Sequence, residues 1–266
     1  MRDIYRHRLS LLIAATVFCT GQAVLFAQST NRLTPIQQRI ETQRQRLASA
    51  DAEERRDALM KLRAMKHTDA SRAAVPALND ADPVVRVTAA HAVEALPPSD
   101  ACAALIPLLK DKQEVVRREA AHALGTTRSQ MAVQPLIESL NSDKEGAVRA
   151  AAAMALGQIR DEAAVVPLAN VLSEGGAKKK KSKTRENEFV MREAARSLGE
   201  IRSRAGVAVL IETLNNDANP IEVRRAAAEA LGAIGDSTAA AALKTASESS
   251  DPYLSQTARQ SLRRLH

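Results

Sequence analysis

The stretch "EVVRREAAHALG" at residues 114–125 decides the fold, because the chain repeats it in close copies. Residues 146–157 read "GAVRAAAAMALG", and residues 221–232 read "IEVRRAAAEALG". In each copy, apolar residues stand one position before the arginine and three, four and seven positions after it. This spacing places them on one face of an α-helix. The sequence therefore predicts an amphipathic helix that recurs along the chain.

Two aligned columns set the period of the repeat. The arginine column reads Arg55, Arg86, Arg117, Arg149, Met191, Arg224 and Ser255. Seven residues later stands a leucine (once a valine), and successive members of this leucine column are 31, 31, 32, 42, 33 and 31 residues apart. A fixed period of this size is typical of a solenoid. We predict six helix pairs and a terminal half-repeat over residues 50–266, with an insertion at 173–187.

A second, shorter helix completes each unit. One column near its predicted start holds Pro76, Pro107, Pro135 and Pro167, and proline is tolerated in the first turn of a helix. Loops that begin with aspartate lead into the next unit and offer N-caps. We expect helix–helix contacts at Gly125, Gly157, Gly199 and Gly232 and a C-terminal cap at Gly235.

The pattern "D…VR..AA.ALG.IG" followed by "A…PL…L" resembles HEAT repeats of the short bacterial type, which also occurs in phycobilin lyase subunits. The resemblance covers about residues 50–266. It implies an all-α, right-handed superhelix that binds other proteins on a concave face lined by the second helices. The chain departs from the pattern at Met191 and Ser255 in the arginine column, and at Arg63 and Glu94 in the glycine column.

Residues 1–27 predict a secretory signal peptide, with a basic start, an apolar core and a cleavage site after Ala27. A lipoprotein signal at Cys19 and an uncleaved membrane anchor are the alternatives. Residues 28–49 then form a linker and a capping helix, the helix at 34–48. The expected location is exported, most simply periplasmic. Cys102 is left as a single cysteine among apolar neighbours, which predicts burial.

The arginine column is the main polar feature of the predicted core. Loop aspartates (Asp80, Asp111, Asp143, Asp217) recur six or seven residues before these arginines. We predict a structural hydrogen-bond ladder between repeats, with ligand binding as the alternative. Its members are Arg55, Arg86, Arg117, Arg149 and Arg224.

A partner-binding groove is predicted on the second helices. The position three after the proline column is polar in every unit, and the position four residues earlier is often aliphatic. Apolar spots rimmed by polar groups suit a peptide-binding surface, although these residues could also be the margin of the core. The candidate residues are Val75, Asn79, Ile106, Lys110, Gln134, Glu138, Val166, Asn170 and Glu212.

The formal net charge of +7 is concentrated in the insertion "GGAKKKKSKTR" at 175–185, which carries +6. The candidate contacts for an anionic membrane or an acidic protein are Lys178, Lys179, Lys180, Lys181, Lys183 and Arg185. The alternative is a solvated insertion without a partner. No nucleic acid is expected, because no aromatic residues interleave with the basic run.

Nothing in the sequence predicts catalysis. No nucleophile–base spacing, phosphate loop or metal-binding cysteine cluster is present, and the few histidines are expected on the surface. We therefore expect a non-enzymatic, cofactor-free and metal-free scaffold that binds protein partners. The alternatives are an adaptor at a membrane surface, acting through the lysine-rich insertion, and a phycobilin-lyase-like enzyme.

Overall fold

The protein is an all-helical solenoid over residues 33–175 and 184–265, which are the residues described by the computed structural model. No strand occurs in these ranges. The helices are α1 Pro35–Arg46, α2 Ala52–Ala64, α3 Thr68–Ala74, α4 Pro83–Ala92, α5 Pro98–Leu105, α6 Glu114–Thr127, α7 Val133–Ser142, α8 Gly146–Ile159, α9 Val165–Gly175, α10 Thr184–Ile201, α11 Val207–Asn215, α12 Ile221–Ile234, α13 Ala240–Ala246 and α14 Pro252–Leu262. The even-numbered helices α2–α14 carry the arginine column and are called the first helices. The odd-numbered helices α3–α13 are the second helices.

This order confirms the predicted six helix pairs and terminal half-repeat. The helix predicted at 34–48 is present as α1, and its capping role stays a prediction. It begins in the first of two compact units, which ends at Thr42, and the repeats lie in the second, which begins at Gln43. The predicted signal peptide, residues 1–27, lies outside the described residues.

The loop aspartates divide into two groups. The N-caps, whose carboxylates accept hydrogen bonds from backbone N–H groups of the first turn, are Asp51, Asp82 and Asp251. Asp111 and Asp143 are not N-caps, contrary to the prediction. Each accepts the backbone N–H two residues on, which bends the loop and leaves the carboxylate facing an arginine of the preceding unit.

The proline column has two different structural roles. Pro135 and Pro167 lie in the first turn of α7 and α9, as predicted. Pro76 and Pro107 instead mark the point at which α3 and α5 give way to the 3₁₀ helices Val75–Asn79 and Ile106–Lys110. Proline has no N–H and clashes with the carbonyl four residues earlier. An α-helix that begins eight or nine residues before the proline therefore changes to the tighter helix there.

The first helices pack on one another at backbone distance. A Cβ atom added at Gly199 would lie 2.8 Å from the Cα atom of Ala230, and one at Gly125 would lie 2.8 Å from the Cα atom of Ala155. These glycines are therefore contact positions, as predicted. Gly235 ends α12 with a φ of 77°, in the left-handed region that favours glycine, which confirms the predicted cap.

The two helix layers differ in how closely their members approach. Neighbouring first helices contact each other along much of their length, whereas neighbouring second helices meet at only a few residues. In a curved stack the inner layer has the shorter arc, and its members lie closer together. We therefore assign the concave side to the first helices. The expectation that the second helices line the concave face is wrong, because the alanine and glycine residues that permit close approach belong to the first helices.

The predicted insertion at 173–187 is helical at both ends. Helix α9 continues to Gly175 and α10 already begins at Thr184. Arg185 therefore belongs to a helix, although its side chain is not among those described. Residues Lys178, Lys179, Lys180, Lys181 and Lys183 lie outside the described residues.

Candidate functional site

Arg55, Arg86 and Arg117 form the predicted ladder, and each of them joins two successive loops. Arg117 donates from Nε and Nη2 to the carboxylate of Asp143, at 2.7 and 3.0 Å. Its Nη1 donates to the backbone carbonyl of Asp111 at 2.9 Å. Arg86 repeats this geometry one unit earlier, with Asp111 as its carboxylate partner and Asp80 as its carbonyl partner. Arginine and aspartate therefore alternate through the first units.

The predicted carboxylate partner is correct for Arg224, which pairs with Asp217, and wrong for Arg86, Arg117 and Arg149. For these three, the aspartate six residues before the arginine contributes only its backbone carbonyl. The carboxylate comes from the loop of the next unit, 25 residues after Arg55 and Arg86 and 26 residues after Arg117. The arginine lies in the first turn of its helix, between these two loops, and its five N–H donors can serve both.

Within the described residues, the arginine–carboxylate links of the ladder run from Arg55 to Asp143. Arg149 donates to the carbonyl of Asp143 at 2.8 Å. Arg224 instead bonds within the preceding loop, to the Asp217 carboxylate at 2.6 Å and to the carbonyl of Leu214 at 2.9 Å. Met191 stands in the arginine column and is buried. Among the described residues, therefore, no member of the arginine column links the last two units, although Arg204, outside that column, lies 3.3 Å from the Asp236 carboxylate.

Burial and hydrogen bonding act in opposite directions on the ladder aspartates. Burial alone would raise the pKa of Asp143, but hydrogen bonds from Arg117 and from the backbone N–H of Glu145, together with the arginine charge, hold this pKa below its usual value. The same balance lowers the pKa of Asp80 and Asp111. These carboxylates are ionised, and each accepts hydrogen bonds from an arginine and from a backbone N–H, which supports a structural role for the ladder.

The histidines and the cysteine form no metal site in the part of the chain that is described. His91 lies 3.3 Å from Glu94 and 3.4 Å from Glu119 on the first-helix face. His122 is partly buried, and this burial lowers its pKa. Cys102 is buried, as predicted, with its Sγ atom 3.3 Å from Thr127 Oγ1.

Three of the predicted partner-binding residues converge on one cleft. This cleft, of about 450 Å³, lies between the 3₁₀ helix that follows α5 and helix α7. Ile106 and Pro135 line its apolar part, and Lys110 and Glu138 form a 3.3 Å ion pair at its rim. The ladder residues Asp111, Arg117 and Asp143 also line this cleft. The next apolar residue of the predicted set on the same face is Val166, whose side chain is 66% exposed and so is not part of the core.

The other predicted residues of this face do not join the cleft. Val75 is half-buried, and the remaining four are exposed: Asn79, Gln134, Asn170 and Glu212. They lie on the surface of their own units.

A second cleft, of about 320 Å³, was not predicted. It lies on the first-helix layer between α10 and α12, and its charged lining residues are Arg160, Arg196, Arg202, Glu200 and Glu229. The available signal was the column eleven residues after the arginine column, where two of these arginines stand. No helix within the described ranges is long and apolar enough to span a membrane.

Comparison with known proteins gives the same architecture. The sequence profile of HEAT repeats matches residues 40–115, 103–179 and 180–263. No curated protein sequence matches the chain.

Solved structures of similar fold include the complex of CpcE and CpcF of phycocyanin lyase from Nostoc sp., at 24% identity and a TM-score of 0.50 over 87% of each chain. An engineered protein is similar at 21% identity and a TM-score of 0.51, over 85% of this chain and 67% of that one. Human deoxyhypusine hydroxylase in complex with glycerol is similar at 21% identity and a TM-score of 0.42, over 85% of this chain and 83% of that one.

At these identities the solved structures share the fold alone. The profile, in contrast, matches from residue 40 to residue 263, which is the span in which helix pairs, glycine contacts and the arginine–aspartate ladder recur. The chain belongs to the HEAT-repeat family.

Proposed function

We propose that this protein is an exported, non-catalytic scaffold that binds protein partners. The observation that carries the proposal is the 450 Å³ cleft of the second-helix face, with Ile106 and Pro135 in its apolar part and the Lys110–Glu138 pair at its rim. An apolar centre with a polar rim is the usual organisation of a protein–protein interface. In a HEAT-repeat solenoid, such a site can be extended from unit to unit.

The partner surface extends from this cleft toward Val166. Neighbouring packed helices lie about 8–10 Å apart, which an extended peptide spans in about three residues. An apolar side chain at every third position of a partner segment would therefore match successive units. Since the first helices occupy the concave side, this surface lies on the outer layer of the stack.

The test is affinity capture from the exported fraction, with residues 28–266 as bait. Val166→Asp should lose the captured partner without loss of stability, because that side chain is already exposed. Ile106→Asp should lose it as well, with unfolding measured in parallel. Val84→Asp is the matched control, since Val84 is 47% exposed on the other helix layer. A partner set unchanged by both Ile106→Asp and Val166→Asp rules out this surface.

The lysine-rich insertion supports a second candidate, an adaptor at an anionic membrane surface. A juxtamembrane basic segment contributes roughly 1 kcal/mol per charge near such a surface, and residues 175–185 carry +6. Deletion of 175–185 should abolish binding to vesicles that contain anionic lipid and leave the captured proteins unchanged. If wild type and deletion variant bind these vesicles equally, the adaptor is excluded.

Export is tested separately by fractionation of cells that make the full chain. Processed protein in the periplasm is the expected result. A processed or full-length chain that stays in the cytoplasm contradicts export and leaves the binding surface to be tested on its own.

A further inference from the structure

Ser139 places a hydroxyl without a protein partner in the cleft of the second-helix face. The residue lies in α7, one helical turn after Pro135, lines the cleft and is 7% exposed. Within the described part of the chain, its Oγ atom forms no hydrogen bond. A serine or threonine inside a helix commonly bonds the carbonyl four residues earlier, as Thr213 does at the same repeat position, to Val209 at 2.7 Å. The Ser139 hydroxyl is therefore free to serve a molecule that enters the cleft.

A second serine of the same cleft differs in this respect. Ser142 also lines the cleft, but its Oγ atom donates to the backbone carbonyl of Glu138 at 2.6 Å. The two hydroxyls lie in the same stretch of α7, and the protein itself satisfies the Ser142 hydroxyl. The unpartnered donor is thus a property of Ser139 and not of every hydroxyl in the cleft.

The charged groups that line the cleft are already paired with one another or with the ladder. The remaining one, Lys144, has a side chain that is 78% exposed and lies 3.9 Å from Glu145. The lining therefore favours a neutral ligand over a charged one. The pairs are Lys110–Glu138, Arg117–Asp143 and Arg86–Asp111.

The spacing of the apolar part and the free hydroxyl suits an extended peptide. Pro135 and Ser139 are one turn apart on α7, which is about 5.4 Å along the helix axis. An extended chain advances about 3.3 Å per residue, so two residues cover this distance. One short segment can therefore place a side chain against Ile106 and Pro135 and a backbone carbonyl at the Ser139 hydroxyl.

We propose that Ser139 is a specificity-determining residue that donates a hydrogen bond to a backbone carbonyl of an extended partner segment. An aliphatic side chain of that segment occupies the apolar part of the cleft, between Ile106 and Pro135. The inference rests on the proposed scaffold function and names the chemistry of its partner at the same cleft. A ligand that fills the cleft displaces water from the hydroxyl, and a buried donor left without an acceptor weakens binding. The cleft therefore selects a neutral segment that presents a carbonyl at this point.

The direct test uses N-acetyl-leucine N-methylamide as the probe and follows the methyl resonances of Ile106 in the nuclear magnetic resonance spectrum of the purified protein. The probe should shift these resonances saturably, and Ser139→Ala should weaken its binding at least about fivefold. Ser142→Ala is the matched control and should keep the affinity of the wild type. N-acetyl-leucine, which ends in a carboxylate, should bind no more tightly than the methylamide. Equal affinities of Ser139→Ala and the wild type, tighter binding of N-acetyl-leucine, or no saturable shift overturns the proposal.

A stability measurement separates this role from a structural one. Ser139→Ala removes a hydroxyl that has no bond within the protein, and alanine has the higher helix propensity. The midpoint of urea denaturation should therefore equal or exceed that of the wild type. A lower midpoint would show that the hydroxyl serves the fold, which contradicts the proposal.

The same variants distinguish this proposal from the scaffold function. If Ser139→Ala keeps the partners that Val166→Asp loses, the scaffold stands and the hydroxyl has no role in holding them, which contradicts the inference. If probe binding depends on Ser139 while Ile106→Asp and Val166→Asp leave the partner set unchanged, the carbonyl-binding cleft stands and the scaffold surface is wrong.

Discussion

Replacement of Arg117 by methionine tests whether the ladder stabilises the stack. The side chains of Arg117 and Asp143 are 9% and 8% exposed. Methionine preserves much of the aliphatic length of arginine but removes two hydrogen bonds to the Asp143 carboxylate and one to the carbonyl of Asp111. A buried carboxylate is then left without its cation.

The expected cost follows from this burial. Removal of one partner of a buried ion pair typically costs about 3–5 kcal/mol. Asp143 keeps the hydrogen bond from the backbone N–H of Glu145, at 2.9 Å, so we expect the lower end, about 3 kcal/mol. Arg56→Met is the control, because Arg56 and its partner Glu53 are 39% and 74% exposed. A pair this exposed contributes about 0–1 kcal/mol.

Chemical denaturation followed by circular dichroism at pH 7 measures both free energies of unfolding. A second readout is the free energy of unfolding measured as the pH is lowered from 7. The folded pKa of Asp143 lies below its unfolded value, so its contribution is present above about pH 4 and is lost as the pH falls through the folded pKa. In Arg117→Met, the free energy of unfolding should therefore decrease less steeply at low pH. If Arg117→Met and Arg56→Met cost the same free energy, the ladder does not hold the units together.

Two further predictions concern the first-helix layer. Gly199→Ala should destabilise the fold by about 1 kcal/mol in the same denaturation assay. Overpacking against Ala230 costs about 1–3 kcal/mol, and the higher helix propensity of alanine offsets about 1 kcal/mol of this cost. Gly206→Ala is its control and should be nearly neutral, because the added Cβ would lie 3.3 Å from the flexible Cδ2 atom of Leu198. His122→Gln should remove a loss of stability that the wild type shows as the pH falls below about 6.5. Burial lowers the folded pKa of this histidine, so the unfolded chain binds more protons in that range; an unchanged pH dependence would contradict this.

The sequence predicted the architecture because the constraints that build it repeat within one helix. The glycine column and the leucine one position earlier recur from the third unit to the sixth, and each of these glycines meets the equivalent small residue of the next first helix. Periodicity alone therefore indicated which residues pack together. The cap at Gly235 follows from local backbone geometry, which is also readable from sequence.

Features that depend on the arrangement of neighbouring units were predicted less well. The sequence placed an aspartate six residues before Arg117, and that residue does contact it, but through its backbone. The carboxylate partner, Asp143, belongs to the loop of the next unit and can be identified only from the three-dimensional position of that loop. The choice of concave face failed for the same reason, since curvature depends on how closely whole layers approach.

The cleft between α10 and α12 was missed because its residues do not form a uniform column. The position eleven after the arginine column reads Lys66, Pro97, Arg128, Arg160, Arg202 and Gly235. A pattern search discards so mixed a column. The cleft needs only two of its members, together with Arg196 from a different position of the repeat, and this combination exists at one place in the stack.

The position of the insertion explains how the solenoid tolerates it. It separates α9 from α10, on the side of the stack that carries the loops between second and first helices. The first-helix layer is independent of that loop. Across the same boundary, Ser197 Oγ donates to the carbonyl of Ala153 at 2.8 Å, and Gly157 lies against the backbone of Ser197. The contact between α8 and α10 is accordingly among the most extensive in the structure. The loop side can therefore accept a lysine-rich segment while the first-helix layer continues unbroken.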